Sequence, residues 1–302
     1  MGWRTVIVSK TAKLDYKMGY LVVRSSEEVT RIHLSEISVL VIESTAISLT
    51  AYLLVELANE KITVLFCDQK RNPHGQYLPL YGNHNTADKV RKQIQWSNES
   101  KSIIWQSVIN EKIKGQAAVL NKLGFPEDAN KLLGYLPQIE PGDQTNREGH
   151  AAKVYFNRLF GKGFSRSQDD NVINAELNYG YSILLSAVNR EVVANGYMTL
   201  LGIHHDNMFN DFNLSCDLME PFRPFVDLIV LEFDHKELTK ESKHALVDVL
   251  NQKIVIDNRE QFFTNAITIY IKSILDAIEK GDSSFIKYPD YEQSLYESAG
   301  SV

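Results

Sequence analysis

Four apolar runs rich in β-branched residues lie in the first seventy positions: "WRTVIVSK" from Trp3, "YLVVRS" from Tyr20, "ISVLVIES" from Ile37 and "KITVLF" from Lys61. Short runs of this kind read as strands. Between the last two, "SLTAYLLVELANE" has the length and spacing of one helix, with Leu49, Leu53 and Leu57 on one face. Residues 1–75 are therefore expected to form a small β-rich domain carrying one packed helix. "DQKRNPHGQYLPLYGNHN", from Asp68, then gathers Pro, Gly and Asn, and its two prolines exclude a central strand and disfavour helix. A linker is expected at residues 76–88.

The pattern of residues 89–302 is helical almost throughout. It opens with "KVRKQIQWSNESKSIIWQSVINEKIKGQAAVLNKL", one long helix or a pair. "NVINAELNYGYSILLSAVNREVVANG" is the clearest single helix, with apolar residues recurring at three and four and Gly196 placed as a left-handed cap. "NREQFFTNAITIYIKSILDAIEKG" repeats the design, with Asn258 as N-cap, Gln261 as its capping-box partner and Gly281 after the last turn. The tail from Asp282 reads as loop, acidic at its end. The expected fold class is α+β in two domains, a β-rich N-terminal one followed by an all-α one.

Composition changes this picture little: 302 residues, 44% hydrophobic and 23% charged, suffice for two cores. No apolar run approaches the roughly 20 residues that cross a bilayer. The N-terminus has no basic region followed by an apolar stretch and a small-residue cleavage site, so no membrane contact and a cytoplasmic location are expected. Cys67 and Cys216 stand apart, which offers neither a zinc knuckle nor a disulfide framework. Charge matters more by distribution than by its net value of −6. Between Asp88 and Arg166, 13 Lys or Arg stand against 8 Asp or Glu, so this stretch is able to face a polyanion while the rest of the chain is acidic. A solvated helix face of mixed charge reads equally well from the charges alone.

Three clusters carry candidate chemistry. In "REGHAAKVYF", from Arg147, Glu148 falls in the first turn of a helix. There it either complements the exposed amides or, beside small alanines, leaves room for an ion or a phosphate. In "LLGIHHDN", His204 and His205 are adjacent in a loop, and consecutive loop residues rarely ligate one ion, so one of them is the candidate. In "CDLMEPFRPFVD", Asp217 and Glu220 are three apart and share a helix face, either solvated or around a cation. Pro221 breaks or restarts the helix beside them, and Arg223 reaches Glu220 or a phosphate.

Two or three carboxylates with one imidazole suit a hard divalent cation, Mg²⁺ or Mn²⁺, and disfavour zinc. Such an ion serves phosphoryl transfer. The chain has no G-x-x-x-x-G-K-[ST] loop, G-x-S-x-G elbow or G-x-G-x-x-G fingerprint, which removes support for nucleotide hydrolysis, serine hydrolysis and NAD chemistry.

Arg147 to Ala152 leading into Tyr155-Phe156, "LNYGY" from Leu177, "GIHH" from Gly202 and "DLMEPFRP" from Asp217, four motifs in order, resemble the CRISPR-associated integrase family, CRISPR-associated protein One. "HLSEISVLVIES" and "CDQKRNPHGQYLP" are similar to the short form of type II-A systems. The resemblance covers nearly the whole chain. It implies a β-rich N-terminal dimerisation domain and a helical catalytic domain. It also implies metal-dependent transesterification, in which 3′-hydroxyl ends of a captured DNA fragment attack phosphodiesters at CRISPR repeat borders, with an associated endonuclease activity. Carried over by position, the catalytic and metal-binding set is Glu148, His205 and Glu220, the last where many relatives have Asp, with Asp217 as the neighbouring acid. Lys153, Arg158, Lys162, Arg166, His204 and Arg223 are the DNA-contact candidates, whereas Asn178 and Tyr179 are read mainly as packing. The implied partners are DNA, a second copy of the chain, and CRISPR-associated protein Two in a four-to-two complex. A ring-shaped DNA-end-binding accessory protein and an RNA-guided effector nuclease are expected in the type II-A setting.

Overall fold

Each of the four apolar runs forms a strand, and four further strands join them. The computed structural model describes residues 2, 4–78, 83–168 and 170–296. The chain divides into two units, Met1–Thr86 with Val193–Gly196, and Ala87–Val192 with Tyr197–Val302.

The first unit runs β1 (Arg4–Val8), β2 (Ala12–Lys17), β3 (Tyr20–Arg24), β4 (Val29–His33), β5 (Ile37–Ile42), β6 (Ile47–Leu49), α1 (Ala51–Asn59), β7 (Thr63–Cys67) and β8 (Pro73–Tyr77). Two four-stranded sheets result, in the orders β1-β5-β7-β8 and β4-β3-β2-β6. Every residue of β5 is buried between parallel neighbours β1 and β7, which explains a run that is apolar but for Ser38. Among the strands the pattern did not announce, β2 and β4 carry exposed polar residues in a mixed sheet, antiparallel from β2 through β3 to β4 and parallel between β2 and β6. Thr50 caps α1 by accepting from the Leu53 amide, and Leu53 and Leu57 enter the core with Leu14, Leu21 and Leu40. Pro73 opens β8, an edge strand antiparallel to β7, where a residue without N–H is tolerated. The expected linker thus begins inside a strand. Residues 79–82 of that stretch, Pro79 included, lie outside the described residues.

The second unit contains α2 (Thr86–Ile94, from Ala87 on), α3 (Asn98–Lys122), α4 (Pro126–Leu133), α5 (Arg147–Phe160), α6 (Val172–Ala194, up to Val192), α7 (Asn213–Leu218), α8 (Arg223–Val230) and α9 (Lys240–Asp248). These are followed by β9 (Lys253–Ile256), β10 (Arg259–Phe262), α10 (Phe263–Lys280), β11 (Pro289–Asp290) and α11 (Tyr291–Tyr296). The expectation of an all-α domain needs correction, because β10-β9-β11 form a small antiparallel sheet. Its hairpin also displaces the predicted cap. Asp257 and Asn258 both have positive φ, 55° and 57°, as a two-residue hairpin turn requires, so α10 starts at Phe263 without a side-chain cap. Gly281, at φ 67°, ends α10 as the sequence predicts. The acidic tail is helical over α11 rather than loop, and residues 297–302 lie outside the described residues.

The spine of this unit is α3, 25 residues long. It packs against α4, α5, α8, α10 and α11, and a helix touched on so many sides is apolar around most of its circumference. Ile104, Trp105, Val108, Ile109 and Ile113 are buried, and Glu111 and Lys112 are buried among them. The glycine of "LNYGY" has a packing reason: a Cβ at Gly180 of α6 would stand 2.4 Å from Val226 Cγ1 of α8. Among the described residues no helix is long and apolar enough to cross a membrane.

Candidate active site

Glu148 sits in the first turn of α5, but the amides there already have partners. Asp143 accepts from the Arg147 and Glu148 amides at 2.8 and 2.9 Å, and Asn146, the N-cap, accepts from Gly149 at 3.2 Å. The helix start is satisfied without Glu148. Its carboxylate turns instead to α3, where Lys112 Nζ donates to Oε1 at 2.6 Å. Burial pushes the Glu148 carboxyl up, yet the Lys112 ammonium, with Arg223 and His205, outweighs burial and holds it below the ordinary value.

His205 lies on the loop between α6 and α7, and its position is set by Asp217 of α7. The Asp217 side chain is fully buried, and both oxygens are occupied. Oδ2 accepts from the Ile203 and His204 amides at 2.6 and 2.9 Å; Oδ1 accepts from the His205 amide at 3.1 Å and faces His205 Nδ1 at 2.5 Å. A carboxylate can only accept, so Nδ1 carries the proton and Nε2 is the nitrogen offered to a ligand. The hydrogen bond to Asp217 outweighs burial and raises the imidazole above its usual range, and the charges of Asp217, Glu220 and Glu148 add to the rise. Gly202 makes the turn possible, because a Cβ there would meet His205 O at 2.2 Å and Asp217 Oδ2 at 2.8 Å. Asn213 ties the loop down by donating to the Leu200 and Asn207 carbonyls.

The break at Pro221 is real. α7 ends at Leu218, Glu220–Phe222 form a 3₁₀ turn, and α8 restarts at Arg223. That break separates the tasks of the two acids. Asp217 faces the histidine loop, while Glu220, 2% exposed, meets Lys112 and Arg223. Arg223 Nη2 lies 2.9 Å from Glu220 Oε1. Lys112 Nζ lies 2.5 Å from the buried Oε2, a close ion pair. One ammonium therefore stands between two carboxylates from elements far apart in sequence. Burial lowers Lys112, but Glu148 and Glu220 together raise it above its ordinary value.

Beneath Arg223 lies a second buried network. Asp227 of α8 accepts from Tyr155 at 3.0 Å and from Tyr181 at 2.5 Å. Burial pushes its carboxyl up to about 6 against the opposing pull of the two hydroxyls and of Arg223 and Arg166. The Tyr181 ring lies under both guanidinium groups, with Arg223 at 4.6 Å and Arg166 at 5.4 Å from its centroid. Asn174 and Asn178 each accept from Arg166 at 2.7 Å, so Asn178 positions a basic side chain.

Glu148 and Glu220 are thus brought together on Lys112, and His205 lies within electrostatic reach of both. Asp217 is beside them, with both oxygens turned to the histidine loop. Arg223 is occupied by Glu220, and His204 is stacked on Trp105 at 4.3 Å. Lys153 and Lys162 are exposed on and just after α5. Arg158 pairs with Asp128 and lies over the Phe125 ring. Lys112 is the residue that sequence reasoning passed over. Its only signal was a lysine between Ile109 and Ile113 in a long helix of mixed pattern.

The family model for CRISPR associated protein Cas1 matches residues 5–254. A CRISPR-associated endonuclease Cas1 from Neisseria meningitidis serogroup C (strain 8013) is 32% identical over 295 residues, covering 96% of this chain and 97% of its own. A second relative, CRISPR-associated endonuclease Cas1 1 of Pyrobaculum aerophilum, is 29% identical, covering 72% of this chain and 78% of its own. Among solved structures, a casposase bound to integration product superposes with TM-score 0.75 at 20% identity, covering 98% of this chain and 94% of that one. A CAS1 protein from Thermotoga maritima gives 0.74 at 17%, covering 93% and 98%. At these low identities the structural likeness speaks for the fold, and the sequence match speaks for descent: the chain belongs to the CRISPR associated protein Cas1 family.

Proposed function

We propose that this protein is the integrase of CRISPR adaptation, a metal-dependent enzyme that inserts DNA fragments into a repeat array. The observation that carries the reading is the meeting of Glu148 and Glu220 at one point in the second unit, with His205 within electrostatic reach of both. The donor set is two hard carboxylates and one imidazole nitrogen, and the two carboxylates already share one cation, the Lys112 ammonium, which fits a hard dication. Among the described residues no three such donors stand arranged for an ion as they are, and Lys112 lies between two of them. Glu148, Glu220 and His205 Nε2 would hold the ion, and Asp217 would fix the histidine. When bound, Mg²⁺ or Mn²⁺ supplies Lewis-acid stabilisation of charge building on a phosphodiester and on the attacking and leaving oxygens.

The chemistry is an exchange of one phosphodiester for another. The 3′-hydroxyl oxygen of the fragment bonds to phosphorus as the repeat strand's own P–O3′ bond breaks, and the hydroxyl proton is released as the leaving oxygen gains one. No energy-rich cofactor is consumed. With water in place of the 3′-hydroxyl the same site performs endonucleolytic cleavage, the activity named for the Neisseria meningitidis relative. Arg166, held by two asparagines and a tyrosine ring, and exposed Lys153 and Lys162 are the residues we assign to DNA phosphates. Arg158, Arg223 and His204 already have partners within the unit and would contact DNA only by changing them.

A solved structure described as a Cas6-RT-Cas1–Cas2 complex superposes with TM-score 0.68. That likeness supports a partnership with Cas2, which we propose as two homodimers of this chain flanking a Cas2 dimer. The type II-A accessory ring protein and effector nuclease belong to the same proposal. The test is an integration assay with Cas2, a labelled fragment and a repeat-bearing plasmid. Insertion is expected to require Mg²⁺ or Mn²⁺, to stop with EDTA, and to stop when the fragment ends are 3′-deoxy while cleavage continues. Insertion that survives 3′-deoxy ends contradicts the reading.

A further inference from the structure

We propose that Lys112 is a built-in placeholder cation: its ammonium holds Glu148 and Glu220 together in the metal-free enzyme and is displaced from between them when the divalent ion enters. The inference rests on the metal-dependent reading above and adds a step to it.

Four observations carry it. Lys112 extends from the central helix α3, and its side chain is only 8% exposed. Its Nζ touches a carboxylate on either side, Glu148 at 2.6 Å and Glu220 at 2.5 Å. Both contacts are ion pairs made by the end of one long side chain, so a rotation of that chain alone gives them up without moving either acid. Arg223 remains on the other oxygen of Glu220, so that acid stays oriented when the ammonium leaves.

Charge explains why a placeholder is useful and why it has to move. Without a cation between them, the two acids repel and splay apart. With Lys112 in place that repulsion is offset, and the positions of both acids are kept for the ion. A dication entering the same gap meets the ammonium as a like charge at close range, and the double charge gains more from the two carboxylates than the single charge does. The ion-binding centre is thereby assembled before the ion arrives, and Lys112 sets how tightly the ion is held.

The test uses the full-length protein at fixed pH and reads binding rather than turnover. Mn²⁺ affinity is measured by electron paramagnetic resonance for wild type, Lys112→Met and Glu148→Gln. Lys112→Met is expected to melt at a lower temperature than wild type without metal, and to bind Mn²⁺ at least ten-fold more tightly. Its affinity unchanged or weakened, with wild-type binding still dependent on Glu148, overturns the placeholder alone. Wild-type binding indifferent to Glu148→Gln overturns the metal reading and the placeholder with it. A second measurement needs no folded variant: acylation of lysines in wild type, read by mass spectrometry. Lys112 is expected to be protected without metal and to react at least several-fold faster in saturating Mg²⁺. Protection that persists in Mg²⁺ overturns the displacement.

Discussion

The two acids of "DLME" stand three residues apart and lead different lives. Asp217 is saturated: three backbone amides and one imidazole use both its oxygens, and none of those partners can leave without unfolding the loop. Glu220, with Glu148 across from it, is held by side-chain cations alone, one of them on a long flexible stem. One half of the site is built to stay fixed and the other to exchange its partner. The difference teaches where to look for a reactive centre. A buried acid held by backbone amides marks support, whereas a pair of acids held by a side-chain cation marks the place to look for chemistry.

Mutations can break that contrast. The largest effect is expected at Glu148→Gln, with strand transfer and cleavage falling by about 10³-fold or more. Its unfolding free energy should change much less, because Lys112 keeps Glu220; gel assays and denaturant titration check the two halves. Asp217→Asn should show the reverse balance. Its amide nitrogen would be turned toward N–H donors, with a stability loss of about 2–3 kcal/mol and a fall in activity of about 10–100-fold through a loosened His205.

The buried carboxyl of Asp227 sharpens the comparison by its pH dependence. Raised to about 6 in the folded protein, it keeps its proton where the unfolded chain has released it. Its contribution is therefore favourable at low pH and is lost as pH rises from about 4 to 6. Wild-type stability relative to Asp227→Asn should fall by about 2–3 kcal/mol across that window. Denaturation midpoints of both proteins at pH 4.5 and 7 measure it, and a constant difference would count against a raised carboxyl. The smallest effect is expected at Arg166→Ala, outside both halves. DNA binding should weaken by less than ten-fold and lose about one unit of salt slope in a fluorescence titration, with no change in metal affinity.

Much of this was legible in the sequence for physical reasons. β5 announces itself because burial on both faces demands a nearly continuous apolar run. β4 does not, since it is exposed at Val29, Thr30 and Arg31. The helix restart at Pro221 follows from the missing N–H. The false cap at Asn258 shows the limit of local signals: the same Asp-Asn pair suits a hairpin turn, and pairing of β9 with β10 decided between them. Glu148, His205 and Glu220 were carried by motif. Their grouping around Lys112, and the assignment of Asp217 to the histidine loop, depend on how α3 threads the unit, and no spacing along the chain encodes that.

The central claim is that Glu148, His205 and Glu220 act as one centre on DNA. The most direct test is strand transfer of a labelled fragment into a repeat-bearing plasmid, in the presence of Cas2, by Glu148→Ala, His205→Ala and Glu220→Ala. DNA affinity is measured alongside on the same preparations. All three variants are predicted to give no detectable product while binding DNA within a few-fold of wild type. Wild-type insertion by any one of them would contradict the account.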